Sequence, residues 1–213
     1  ECVFTECNGH GSLLAAEGIK NGVDILVAVG GDGTINEVAT EVEGTDKLMG
    51  IIPFGSGNGL ARSLGIPLKD VQAIKRINML HVSKIDTGTF NGRKFFNMAG
   101  IGFDAQISAR FAENVERGLK SYVKIAFSEV SNYRSQNYHL TIDGKEYKHQ
   151  AFMISVANSS QYGNNAHISP FASLNDGLLD ICILRPFPLY KFPAIALRMF
   201  RRNAHKSSYL KII

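Results

Sequence analysis

The densest chemistry in the sequence is Gly30-Gly31-Asp32-Gly33-Thr34-Ile35-Asn36-Glu37, directly after the apolar run Ile25–Val29. Glycines let a backbone come close to a polyphosphate, and successive N–H groups form a concave anion site. A helix starting there aims its positive end at the same anion. Thr34 and Asn36 can add side-chain hydrogen bonds. Asp32 would repel phosphate, so in such a site it serves a magnesium ion or accepts a proton. Alone, the stretch reads about equally well as a tight strand-to-helix turn capped by Asp. A second turn of the same kind follows one strand later, Pro53-Phe54-Gly55-Ser56-Gly57-Asn58-Gly59-Leu60-Ala61-Arg62. Two phosphate-type turns on adjacent strand ends make one cleft. Neither continues as Gly-Lys-Ser/Thr, and neither is a GxGxxG followed by a ribose-binding acid, which disfavours a P-loop and a Rossmann dehydrogenase.

The elements that position these turns are legible. Gly11–Asn21 reads as a helix stopped at Asn21-Gly22. Asp24–Val29 is a continuous apolar strand of the kind buried on both faces of a parallel sheet. Ile35–Val42 is helical, Leu48–Pro53 is a second short strand, and a helix starts at Leu60. This β-loop-α alternation predicts an open α/β sheet with ligands at the carboxyl ends of its strands. From about Lys84 the texture changes to short period-two runs: Lys94–Met98, His139–Ile142, Glu146–Ala157 and Leu178–Leu184. Asp143-Gly144 and Asp176-Gly177 separate them, and one helix is expected over about Ala109–Ser131. The expectation is an α/β fold of two domains: residues 1–84, an α/β nucleotide-binding domain, and 85–213, a β-rich, sandwich-like domain.

The two glycine turns together resemble the diacylglycerol kinase catalytic domain family, which includes bacterial lipid kinases and sphingosine kinases. Thr5-Glu6, Ile85-Asp86-Thr87-Gly88, Phe96–Phe103 and Asn175-Asp176-Gly177-Leu178-Leu179-Asp180 fall in the family's order, so the resemblance covers most of the chain. The first turn is also shared with NAD kinases and phosphofructokinases; the combination is specific. The resemblance implies an ATP-dependent lipid kinase acting on a diacylglycerol or sphingoid-base hydroxyl. It assigns nucleotide contacts to Thr5, Gly31, Asp32, Gly33, Thr34, Ile35, Asn36, Glu37 and Ser56, with Gly57, Asn58 and Arg62 completing the second turn. It assigns Mg²⁺ to Asp176, the Leu178 carbonyl and Ser173, with Asp86 linked to that network. An oxygen-only set of this type suits Mg²⁺; taken alone, Asp176-Gly177 reads first as a hairpin turn. Asp32 is the candidate catalytic acid–base residue within the chain. Gly59 stands where many bacterial members have Asp, which tilts the resemblance toward the sphingosine-kinase-like branch. The family's opening strand and its late acidic residue, proposed as general base, are expected outside the chain, which begins at Glu1. The rivals are an NAD kinase or phosphofructokinase relative, and a nucleotide-sensing domain that kept the fold.

Composition is that of an ordinary globular chain, with 45% hydrophobic and 20% charged residues. No run approaches the roughly 18 apolar residues of a spanning helix. Cys2, Cys7 and Cys182 have no CxxC spacing, so free thiols in a reducing cytoplasm are expected. Beyond Asp180 come Arg185, Lys191, Arg198, Arg201, Arg202, Lys206 and Lys211 and no acid. That tail can meet phosphates or an anionic membrane surface, although a solvated helix face explains the charge alone. The expected partner is a lipid at a membrane surface, with the protein peripheral to it. Nucleic acid is not expected, and self-association is left open.

Overall fold

The structure is a computed structural model that describes residues 1–113 and 119–213. It divides into two compact units, Glu1–Phe96 and Asn97–Ile213. The first opens with α1 (His10–Lys20), followed by β1 (Ile25–Gly30), α2 (Asp32–Val42), β2 (Leu48–Pro53), α3 (Gly59–Ser63) and α4 (Asp70–Asn78). A hairpin, β3 (Gly88–Phe90) and β4 (Arg93–Phe95), ends the unit. The texture change near Lys84 thus lies ahead of a hairpin that still packs on the first unit. Lys94 pairs with Glu43, and Asn36 Nδ2 donates to the Lys94 carbonyl at 3.3 Å.

β1 and β2 run parallel, in a register from Ile25 opposite Leu48 to Gly30 opposite Pro53. The strands therefore end level, and both glycine turns emerge from the same sheet end. α2 buries Ile35, Val38 and Ala39, the one-face spacing of a helix. The apolar run of β1 is not buried on both faces as its sequence suggested. Leu26 and Ala28 are buried, while Val27 and Val29 are 42% and 57% exposed. Successive strand side chains point to opposite faces. α1 approaches the Leu26 face beside Gly18, whereas Ile77 of α4 rests over Gly50 of β2 and covers β1 only in part.

The second unit contains β5 (Met98–Gly102), α5 (Phe103–Glu113), α6 (Leu119–Val130), β6 (Gln136–Ile142), β7 (Lys145–Ala151), β8 (Met153–Ala157), β9 (Asp180–Leu184), α7 (Phe192–Phe200) and β10 (Leu210–Ile212). A four-stranded antiparallel sheet has the order β10-β9-β8-β5. Its alternation builds two cores. Met153, Ala157, Cys182, Leu184 and Leu210 face a cluster with Phe103, Ile107, Ala126 and Ile195 of the helices. Ile154 and Ile183 face the other way, against Tyr138 and Leu140 of the β6–β7 hairpin. Asp143-Gly144 closes that hairpin with both residues at positive φ. The β-rich, layered second domain expected from the sequence is therefore present.

Two strand expectations change. Glu146–Ala157 is not one strand: it leaves the β6–β7 hairpin at Ala151 and joins the larger sheet at Met153. Phe152 makes the switch, its N–H bonding to the Leu184 carbonyl while its own carbonyl accepts from Phe103. Lys94–Met98 likewise spans the end of β4 and the start of β5, in different sheets. The single helix expected over about Ala109–Ser131 is instead two, α5 beginning earlier at Phe103 and α6 ending at Val130, which pack on each other through Gln106 and Glu129; residues 114–118 lie outside the described residues.

Candidate functional site

In the first unit the two glycine turns touch. A Cβ built on Gly55 would lie 2.5 Å from the Gly31 Cα, and one on Gly31 would lie 3.2 Å from the Gly55 Cα. Only glycine at position 55 allows this approach, and at position 31 a side chain would be tight. The Phe54 N–H donates to the Gly30 carbonyl at 2.7 Å, tying the turns together at the strand ends. α2 starts at Asp32, so the first turn of the motif is already helical rather than an open loop. Its leading N–H groups have no partner within the helix. A Cβ on Gly33 would meet nothing within 4 Å, and Gly33 is exposed. The end of α2 is therefore open to an anion with little steric obstruction.

Asp32 spans the two turns. Its Oδ1 accepts the Leu60 N–H at 3.3 Å, at the start of α3. Burial raises its carboxyl above the ordinary Asp value, opposed by backbone amides of Leu60, Gly59, Asn58 and Asp32 itself. Those amides favour the carboxylate, yet desolvation outweighs them. An acid held up in this way is a better proton acceptor than a free aspartate.

Several residues expected to touch nucleotide also have partners within the protein. Asn58, buried and at φ 51°, accepts the Gly55 N–H at 2.9 Å and donates to the Gly55 carbonyl at 2.8 Å. Arg62 Nε donates to the Gly57 carbonyl at 3.0 Å. Asn36 is taken by the β4 carbonyl, and Ile35 is core. Glu37 Oε1 and Oε2 accept the Gly9 and Gly11 N–H groups, each at 2.9 Å. A carboxylate at the start of α1 is favourably placed; this clamp bridges partners 28 and 26 residues apart, and the close pair Gly9 and Gly11 was its only local signal. Thr34 packs beneath Gly30, where a Cβ would sit 2.8 Å from its Oγ1. Ser56 and Thr5 are exposed, and Thr5 precedes α1.

The second unit carries the Asp176 turn. Asp176 is exposed, its Oδ1 accepting the Leu178 N–H at 3.1 Å across Gly177 at φ 75°. Ser173 Oγ donates to Asn175 Oδ1 at 2.8 Å. Among the described residues no group of three His, Cys, Asp or Glu side chains is placed to hold a metal. The donors here are one carboxylate, a hydroxyl and carbonyls. That set fits Mg²⁺, which binds through one or two carboxylates and keeps several waters. The turn is closed at its base, since Ser169 Oγ donates to Asp180 Oδ2, a latch the sequence did not suggest. Asp86 is half-buried in the first unit, ahead of β3.

The sequence model of the diacylglycerol kinase catalytic domain matches residues 1–90. That of the YegS C-terminal NAD kinase beta sandwich-like domain matches residues 97–205. The chain is 30% identical over 202 residues to a diacylglycerol kinase of Bacillus subtilis, covering 92% of this chain and 67% of that protein. It is 31% identical over 180 residues to a Pseudomonas putida protein named "Probable lipid kinase YegS-like", covering 83% of this chain and 61% of that one. The chain thus spans between three fifths and two thirds of these relatives. A crystal structure of a diacylglycerol kinase from Bacillus anthracis str. Sterne matches with a TM-score of 0.76 at 25% identity, over 99% of this chain and 71% of that one.

Proposed function

The chain belongs to the diacylglycerol kinase catalytic domain family, within which its relatives are lipid kinases, and we propose that it transfers the γ-phosphate of ATP to a lipid hydroxyl. The observation that carries this is the backbone contact of Gly31 with Gly55 beside the open end of α2 at Gly33. Amides from the α2 end hold the polyphosphate, and the exposed Ser56 hydroxyl adds a donor. The lipid oxygen forms a bond to the γ-phosphorus, the bond to the β-phosphate oxygen breaks, and ADP leaves. The hydroxyl proton goes to the Asp32 carboxylate, whose burial favours its uptake. Mg²⁺ is the counter-ion that phosphoryl transfer of this kind uses. Within the second unit, the residues that would hold a Mg²⁺ ion are Asp176, Ser173 and the Leu178 carbonyl.

The test is incubation of the purified protein with labelled ATP and Mg²⁺ against diacylglycerol, a sphingoid base and NAD⁺, with products identified by mass spectrometry. Label in a phosphorylated lipid is expected. Label in a phosphorylated NAD would make this a nucleotide kinase, and ATP binding without turnover on any acceptor would make it a sensing domain. Which lipid is phosphorylated follows from the same panel.

A further inference from the structure

We propose that one face of α7, with the short turn Leu189–Lys191 before it, docks the protein on an anionic bilayer surface. The proposal deepens the lipid-kinase reading and rests on it for its purpose, because a lipid acceptor resides in a bilayer.

α7 has two faces of different fate. Phe192, Ile195 and Met199 pack against the helix-side core of the second unit, with Phe187 beside them. The opposite stripe is apolar too, yet it lies open: Tyr190 is 76% exposed, Leu197 47% and Phe200 40%, with Pro193 and Ala194 exposed between them. These positions recur every three or four residues, which places them on one side of a helix. Single exposed apolar residues are ordinary, but a continuous stripe opposite a buried face is a partner surface.

The charges select the partner. Lys191 is exposed, with its Nζ 5.3 Å from the Tyr190 ring centroid. Arg201 and Arg202 are exposed where α7 ends. No acidic residue lies between Asp180 and Ile213, so the stripe has cations at both ends and no carboxylate in that span. Apolar tips, a tyrosine and flanking cations are the composition of an interfacial helix on anionic lipid. A second copy is a poor occupant: a two-fold contact through this face would oppose like charges.

The test is sedimentation with phosphatidylcholine vesicles of increasing phosphatidylserine content, at low and high salt. Binding should grow with phosphatidylserine and weaken in salt. Lys191→Gln/Arg201→Gln should bind roughly 25-fold more weakly, at about five-fold per cation near the surface. Leu197→Ser/Phe200→Ser should lose binding at every lipid charge. All these side chains are exposed, so both variants should melt with the parent. Equal vesicle binding by parent and variants overturns the proposal. So does a change of mass in lipid-free light scattering on altering the stripe, which would make it a self-association face. Phosphorylation of a short-chain, water-soluble acceptor, measured in parallel, separates the two readings. Turnover without vesicle binding overturns the docking surface alone, and vesicle binding without turnover on any acceptor overturns the kinase alone.

Discussion

Alanine at Gly55 and at Gly33 should separate what glycine does for the fold from what it does for a ligand. At Gly55 the new Cβ would stand 2.5 Å from the Gly31 Cα and 2.8 Å from Asn58 Oδ1. The first distance is about 1 Å inside a normal carbon–carbon contact. Both neighbours are fixed, one being backbone and the other bonded to Gly55 on two sides. The turns must part, straining the Phe54 N–H bond to Gly30 that joins them. Overpacking of this kind, with a weakened hydrogen bond, costs about 2–4 kcal/mol. For a chain of this size that lowers Tm on the order of 5–15 °C. Gly33 is the opposite case, since its Cβ would meet nothing within 4 Å. Alanine there should leave Tm unchanged or raise it, because alanine favours a helix over glycine by up to about 1 kcal/mol. The methyl group would nevertheless stand where a polyphosphate must approach. Affinity for a non-hydrolysable ATP analogue, measured by calorimetry, should fall roughly ten-fold, equivalent to about 1.4 kcal/mol. A Gly55→Ala protein melting with the parent would refute the contact between the turns. A Gly33→Ala protein with unchanged nucleotide affinity would remove the α2 end from the binding site.

Asp32→Asn should lose turnover by roughly 100-fold or more, the scale of a lost general base, and near-normal turnover would exclude Asp32 from proton transfer. Its folded carboxyl sits above the ordinary value of 3.8, so between 3.8 and that raised value the folded chain holds a proton that the unfolded chain has lost. Stability from this group falls as pH rises from 3.8 through the raised value, and the variant should therefore melt no lower than the parent at neutral pH. Glu37→Ala strands the buried Gly11 amide and returns the exposed Gly9 amide to water, and should lower stability by about 1–2 kcal/mol in a denaturant titration, with Glu37→Gln losing less. Asp176→Ala should abolish the rise of Tm with added Mg²⁺, and an undiminished rise would move the metal elsewhere. Burial, with Asp180 adding to it, pushes the Cys182 thiol up to about 12, so alkylation at mildly alkaline pH should modify Cys2 and Cys7 alone until the protein is unfolded.

Much of this was legible in one dimension. The alternation of Ile25–Gly30, α2 and Leu48–Pro53 announced a parallel α/β unit, because strand and helix periods differ and each leaves its mark locally. The two glycine turns were legible as turns too, because glycine clusters punctuate strand and helix runs. What sequence could not say is which polar side chains near the turns already have partners in the fold. Asn58, Arg62, Asn36 and Glu37 have the right chemistry to meet a nucleotide, and each also bonds to backbone. Asn58 and Arg62 do so within their own turn, while Asn36 and Glu37 reach partners distant in sequence, where propensity carries no information. The strand that changes sheets at Phe152 was hidden similarly, since both halves keep period two and only tertiary pairing tells them apart. Composition and spacing thus determined the fold class, the two turns and the acid between them. The contact of Gly31 with Gly55, the desolvation of Asp32 and the open face of α7 were decided in three dimensions, because burial and close approach belong to the packed chain rather than to any segment of it.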